Sequence, residues 1–377
     1  VDLRTSSSMA LGRVRLVVAA LLTAEASGWA LPWRPAQGGL PQLSITAASP
    51  IASAASSAAV QRLDWSELVD AAYVITCPDA DGSNSRLDRA MGMLRDVGLA
   101  DRTQVCEFAR DDGDRVRGCY SSHISVLQEA KRRFPTGPCK VLVLEDNLAI
   151  SPRVSQASID AIAAFLNGPG IPGVPAADLV HLAYIMYVPG LSVERLEGQT
   201  DIVRLRCSAD SVLGTTAYIA TRSGLDAILD EHDTVGYVDA IPNVMARLFP
   251  DSRLAAFPMP LHRAATIKSL VNSQLDQLRA LIFQPQVYTW WERLLVYSGQ
   301  STNVLFPSLV LALLIGALGG GYEAERAIYA SIRGEDVNLL LPVLGGIVSL
   351  ACLAICGYGL ALAPKPQEEA VQATRKD

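Results

Sequence analysis

The run KVLVL, residues 140–144, passes directly into Glu145, Asp146 and Asn147. Two adjacent carboxylates and a carboxamide offer oxygen ligands to a hard divalent cation, and such a cation can hold a diphosphate that an acidic loop would otherwise repel. Ligands of open α/β sheets gather just beyond the carboxyl ends of strands, where this corner falls if KVLVL is a buried strand. Acidic residues after strands also serve as helix caps, so the motif alone leaves both readings open. Upstream, Ser122 reads as the cap of a helix running to Phe134, with His123 in its first turn. Free N–H groups there would meet an anion, and the positive end of the helix dipole disfavours an imidazolium. His123 therefore reads either as a neutral hydrogen-bonding group or as a histidine satisfied inside the fold. The seven cysteines include no CxxC pair, and Cys352 and Cys356 lie in an apolar run. Their spacing predicts no zinc site, while the five in the central part permit a disulfide without showing one.

These residues need a scaffold. AYVIT, residues 72–76, is a β-branched and aromatic run that reads as a buried strand. A turn-rich loop follows, then residues 86–97 with Leu87, Met91 and Leu94 at helical spacing, closed by Gly98. Residues 103–108 read as a second strand, residues 122–134 as a second helix and KVLVL as a third strand. Strand and helix alternate, so the class is α/β. His181, inside DLVHLAYI, reads as a strand residue near the core.

The net charge of −6 argues against a nucleic-acid partner, and the one basic run, Lys131–Arg133, sits where it would complement a helix dipole. Half of the 377 residues are apolar and the excess lies near both ends. From Met9 the order basic, apolar, small resembles a secretory signal, residues 1–26, with a buried helix end as the other reading. Residues 27–62, rich in Ser, Ala and Pro, read as a linker that buries too little to offset its conformational entropy. An organellar (plastid) transit region is the alternative for this segment. Residues 304–318 and 339–362 are uncharged apolar runs. The second can span a hydrocarbon core of roughly 30 Å at about 1.5 Å per residue, so a transmembrane hairpin is expected within 301–364. A loop over 322–338 would join the two spans, and a polar tail, 365–377, would follow them. Before them, residues 267–298 read as a helix whose Tyr288, Trp290, Trp291 and Tyr297 suit either a headgroup layer or a core.

Several short patterns, in order over residues 71–260, resemble the family-25 glycosyltransferases, which include lipooligosaccharide and procollagen galactosyltransferases. They are YVIT with Arg86, Arg89, Leu94 and Gly98-Leu99; Gly118-Cys119-Tyr120-Ser121-Ser122-His123; VLVLEDN ending at Asn147; Gly214-Thr215-Thr216-Ala217-Tyr218; and Val238-Asp239. The resemblance implies a GT-A-like, mostly parallel sheet flanked by helices over residues 63–266. It implies a UDP-hexose donor (galactose or glucose), a divalent cation, Mn2+ or Mg2+, and inversion at the anomeric carbon. It makes Asp146 the principal metal ligand beside Asn147, turns Glu145 toward metal or sugar, and gives Arg86 or Arg89 to phosphate or uracil. Thr76, Ser122 and His123 join the donor site on the same grounds. Asp239 is the candidate base, with a helix N-cap as its other reading. The acceptor would be a glycan, protein or lipid hydroxyl, in the endoplasmic reticulum or Golgi. Asn147 departs from the family's Leu-Glu-Asp-Asp, removing one negative charge, and Pro260-Leu261-His262-Arg263 matches the closing pattern loosely. A membrane-anchored protein that keeps the fold as a binding scaffold without turnover is the competing expectation.

Overall fold

A computed structural model describes residues 62–79, 82–168, 176–207, 213–250, 252–264 and 285–333, with 344–347 and 350–351 beyond them. All belong to the unit Ala58–Asp377. The signal-like segment, nearly all of the linker, the first part of the aromatic helix, the polar tail and most of the second apolar run lie outside the described residues.

The strands are β1 (Ala71–Thr76), β2 (Thr103–Glu107), β3 (Lys140–Glu145), β4 (Leu148–Ile150), β5 (Leu179–Ala183), β6 (Ser192–Arg195), β7 (Ile202–Arg206), β8 (Ala217–Thr221), β9 (Arg253–Ala256) and β10 (Leu261–Arg263). The helices are α1 (Ser85–Asp96), α2 (Arg115–Arg133), α3 (Gln156–Asn167), α4 (Arg222–Val235), α5 (Ile241–Leu248), α6 (Pro285–Ser298) and α7 (Thr302–Ile332). Eight strands form one sheet in the order β2-β1-β3-β8-β5-β9-β7-β6, and β10 pairs antiparallel with β4 beside it. Strands β8 and β7 run against the other six, which all point one way.

The alternation of side chains along each strand divides the core. Leu142 and Leu144 of β3, with Ala72 and Val74 of β1, face α1 and α3 through Leu94, Ala90 and Ile159. Val141 and Val143, with Tyr73, face α2, α4 and α5 through Ile124, Leu127, Leu225 and Val244. Because both faces are covered, KVLVL and AYVIT are near-continuous apolar runs. The chain is thus a three-layer α/β fold over this region, as the residue pattern predicts.

Helix α2 begins at Arg115 rather than at Ser122. Asp114 caps it by accepting the Arg117 N–H at 2.9 Å, and Ser122 donates to the Gly118 carbonyl one turn back at 2.8 Å. The cap loop lies against the first turns of the helix: a Cβ on Gly118 would stand 2.8 Å from Asp111 Cβ. The glycine is there for that close approach, and it does not mark the boundary. Ser122 and His123 consequently sit mid-helix, and no free helix N-terminus exists at either residue.

A third core cluster forms where β6, β7 and β9 meet the C-terminal helices. On α6, Tyr288 and Trp291 are buried while Trp290 and Tyr297 are exposed, so the aromatic set splits between core and surface. Trp291 donates its ring N–H to the Met186 carbonyl at 3.0 Å. Glu292, its side chain 3 % exposed, accepts from the Met259 N–H at 2.7 Å and from Arg153 at 2.8 Å. Burial pushes the Glu292 carboxyl up to about 7 against the opposing pull of these two partners.

The first apolar run lies inside α7, which continues to Ile332; residues 322–332, expected as loop, are helical. Glu323, Ala324, Glu325, Arg326 and Ala327 are good helix formers and extend the turn already set. Among the described residues no single helix is long and apolar enough to cross a membrane. Val287–Ser298 and Thr302–Gly316 together reach that length and apolarity, bent by 117° at the break between them.

Candidate functional site

The sequence reverses direction across the sheet at β1, which has β2 on one side and β3 on the other. In open α/β sheets the crevice at such a switch point, outside the carboxyl ends of the strands, is where ligands settle. Thr76 ends β1 and Glu145 ends β3, with Glu145 in register with Ile75, the residue before Thr76. Strand pairing continues one step further, with Asp146 N–H donating to the Ile75 carbonyl at 3.1 Å.

Neighbouring residues of an extended strand point to opposite faces. Asp146 turns toward α1, where its Oδ2 accepts from Thr76 Oγ1 at 2.7 Å and pairs with Arg86 at 3.1 Å. Both ends of that pair are largely buried, at 7 % and 16 % side-chain exposure for Asp146 and Arg86. Burial raises the Asp146 pKa; Thr76 and Arg86 oppose the rise, and the charges of Glu145 and Asp79 add to it. Arg86 also donates to the Cys77 carbonyl at 3.2 Å, and Asn84, which caps α1, lies with its Oδ1 3.1 Å from Thr76 Oγ1. Of the two candidate arginines, Arg86 lines this corner and Arg89 is on the exposed face of α1.

Glu145 turns the other way, toward α2. Its Oε1 accepts from Thr215 Oγ1 at 2.5 Å, its Oε2 accepts from Asn147 Nδ2 at 2.9 Å, and His123 Nε2 stands 3.6 Å from Oε1. Burial alone would raise the Glu145 pKa. The nearby His123 ring, the Thr215 hydroxyl and the charge of Arg263 outweigh it and hold the carboxyl down at about 2. His123 is fully buried; its Nδ1 lies 3.0 Å from the Tyr218 hydroxyl and its ring stacks on Tyr218, while Nε2 has no hydrogen-bond partner. Cys119, one turn before His123, faces the same corner. Burial, then the charges of Glu145 and Cys77, push its thiol up to about 12, so it is a neutral thiol and a poor nucleophile at pH 7.

A divalent cation held by Asp146 and Asn147 together would need both to look at one point. They look to different partners: Asp146 to Thr76 and Arg86, Asn147 to Glu145. Among the described residues, the His, Cys, Asp or Glu ligand atoms that converge are those of Cys119, His123 and Glu145, all within 4.8 Å of one another. Asp239 accepts from Ala240 N–H at 2.7 Å, Asn243 Nδ2 at 2.9 Å and Arg247 at 3.2 Å. Its carboxylate thus anchors the start of α5. His181 lies in β5, buried, with its pKa lowered to about 4 by burial and then by the Arg253 charge.

No family model matches the chain, and no curated protein matches it. Among the solved structures similar to it is a glycosyltransferase involved in the glycosylation of the major capsid of PBCV-1. The identity is 7 %, the match covers 50 % of this chain and 93 % of that one, and the TM-score is 0.26. Likeness at that level says nothing about chemistry, which rests on the side chains of the corner itself.

Four residues of that corner had no role in the sequence reading: Cys119, Thr215, Tyr218 and Arg263. Cys119 and His123 stand four apart on one helix, a spacing that puts both on one face and that a search for CxxC pairs passes over. Thr215 and Tyr218 arrive with β8, and Arg263 with β10; only the tertiary pairing shows that they meet Glu145.

Proposed function

We propose that the protein binds a UDP-hexose at the switch point between β1 and β3 and transfers the hexose to an acceptor hydroxyl. The observation that carries this is the Thr76–Asp146–Arg86 cluster, a nearly buried charged pair at the topological switch point, a position where α/β sheets take ligands. A buried ion pair does little for stability compared with an apolar replacement, so its presence here supports a binding role. Arg86 offers a planar fork of donors to phosphate or uracil, and Asp146 accepts hydroxyl donors of the ribose or sugar. In an inverting transfer the acceptor oxygen bonds to the anomeric carbon as the bond from that carbon to the diphosphate oxygen breaks. The acceptor proton leaves to a base. Glu145, held near a pKa of about 2, is a weak base, and Asp239 is committed to α5. The proposal therefore assigns donor binding to Thr76, Asp146 and Arg86 and assigns no base.

Membrane association, in the secretory pathway, belongs to the same proposal. The uncharged run 339–362 and the exposed Leu311, Ile315 and Leu318 of α7 support it. Sedimentation of the full chain with membranes after a high-salt, high-pH wash checks it; release into the supernatant rejects it.

One observation favours a second reading, a binding scaffold without turnover. Every charged group of the corner already has a partner within the protein, and Asn147 supplies by its amide what a cation would supply to a carboxylate. Calorimetric titration of the full chain with UDP, UDP-galactose and UDP-glucose, with and without Mn2+, separates the readings. Saturable binding that falls about 10- to 100-fold in Asp146→Ala supports a donor site. No binding of any of the three nucleotides by the wild type rejects it, and binding without sugar release leaves the scaffold reading.

A further inference from the structure

The geometry points to a cation site formed by Cys119 Sγ, His123 Nε2 and Glu145 Oε1, on the face of the sheet opposite Asp146, and suited to a borderline divalent metal such as Zn2+. It is independent of the nucleotide reading. Three observations support it. The ligand atoms lie within 4.8 Å of one another. His123 is completely buried, yet its Nε2 makes no hydrogen bond; a buried polar atom left so costs about 1–3 kcal/mol and calls for a partner. That atom stands 3.6 Å from Glu145 Oε1. A direct charge-assisted hydrogen bond would close to about 2.7–2.9 Å. Two ligands on one tetrahedral zinc, each about 2.0–2.1 Å from it, sit about 3.4 Å apart.

The surroundings suit the assignment. The Tyr218 hydroxyl lies 3.0 Å from Nδ1; in the metal-bound state it would accept the Nδ1 proton, leaving the Nε2 lone pair to the metal. Thr215 donates to the same carboxylate oxygen and orients it. Both are the kind of outer contact that fixes ligand tautomer and direction in metal sites. Binding releases the Cys119 thiol proton to solvent, and the resulting thiolate and carboxylate balance the two positive charges with a neutral imidazole. Sulfur and nitrogen ligands select zinc over manganese or magnesium, which prefer all-oxygen shells. Three protein ligands leave a fourth position for water.

The test uses the full chain, stripped of metal and titrated first with Co2+ and then with Zn2+. Expected is a single equivalent of cobalt, with a thiolate-to-cobalt charge-transfer band that Zn2+ abolishes and Mn2+ does not. Cys119→Ser loses the band, while Cys77→Ser, at a thiol close enough to act electrostatically on Cys119, keeps it. Tyr218→Phe keeps the band but weakens cobalt binding about 10- to 100-fold. The inference is overturned if the wild type gives no band, if Cys119→Ser retains it, or if Mn2+ competes as well as Zn2+. Unchanged affinity in Tyr218→Phe also overturns it, and that variant decides should Cys119→Ser fold poorly. No nucleotide is present, so failure here is distinct from failure of donor binding.

Discussion

Glu292 contributes stability to the fold that is lost as pH rises from about 4.5 to about 7. Its carboxyl is almost wholly buried, and burial lifts its pKa from an ordinary 4.5 to about 7. Between those values the folded chain holds a proton that the unfolded chain has released. The folded state therefore loses about 1.4 kcal/mol for each pH unit in that interval, and the loss is complete above the folded pKa. Between pH 5 and pH 8 the loss comes to roughly 2.5–3 kcal/mol. Glu292→Gln removes the titration while keeping an acceptor for the Met259 N–H. It also removes the anion beside Arg153, which shifts stability by a constant amount. The quantity to measure is the difference between wild type and variant, from urea unfolding of the full chain at pH 5, 6, 7 and 8. Other titrating groups cancel in that difference. It should move against the wild type by roughly 2.5–3 kcal/mol over the series. A difference constant within about 0.5 kcal/mol would show that Glu292 is ionised in the fold at all these pH values, and the burial reasoning would fail.

Three further outcomes follow from the corner and its supports. Arg86→Met leaves Asp146 nearly buried with only Thr76 beside it, and should cost about 3–5 kcal/mol in unfolding free energy at pH 7; a loss below about 1 kcal/mol would mean the pair is solvated. Asn147→Asp replaces a donor 2.9 Å from Glu145 Oε2 with a second anion. In chelator it should lower stability by at least about 2 kcal/mol, and Zn2+ should restore part of that; equal stability with and without chelator counts against it. Gly224→Ala would bring a Cβ to 2.1 Å from the Asp178 carbonyl oxygen. A melting curve should show a loss of about 1–3 kcal/mol, since backbone on both sides must shift.

The strands that both layers of helices cover were legible because their composition records that burial: between their first and last residues AYVIT and KVLVL carry no charged residue. The first helix was legible from Leu87, Met91 and Leu94. What the residues conceal is direction and distance. Nothing in AYIAT distinguishes a strand that runs with β3 from one that runs against it, and β8 runs against it. Glu145 and Asp146 look like one clamp when read along the chain; the pleat sends them to opposite faces. Ser122 and Asp114 are both residue types that cap helices, and only the fold shows that the helix starts from Asp114, eight residues before Ser122. Likewise the charges over 322–332 resemble a loop, and they are one more set of helical turns.

The inverted strand between β3 and β5 has an effect on how this corner can change over time. A parallel strand would carry its entry segment to the far edge of the sheet. Reversal delivers it to the near rim instead, where Thr216 accepts the Glu145 N–H at 2.9 Å and Thr215 grips the carboxylate. Insertions or deletions just ahead of Ala217 will be felt at Glu145 with β3 itself untouched, so chemistry here can drift by editing a connector whose own sequence carries no acid or base from Val212 to Thr216.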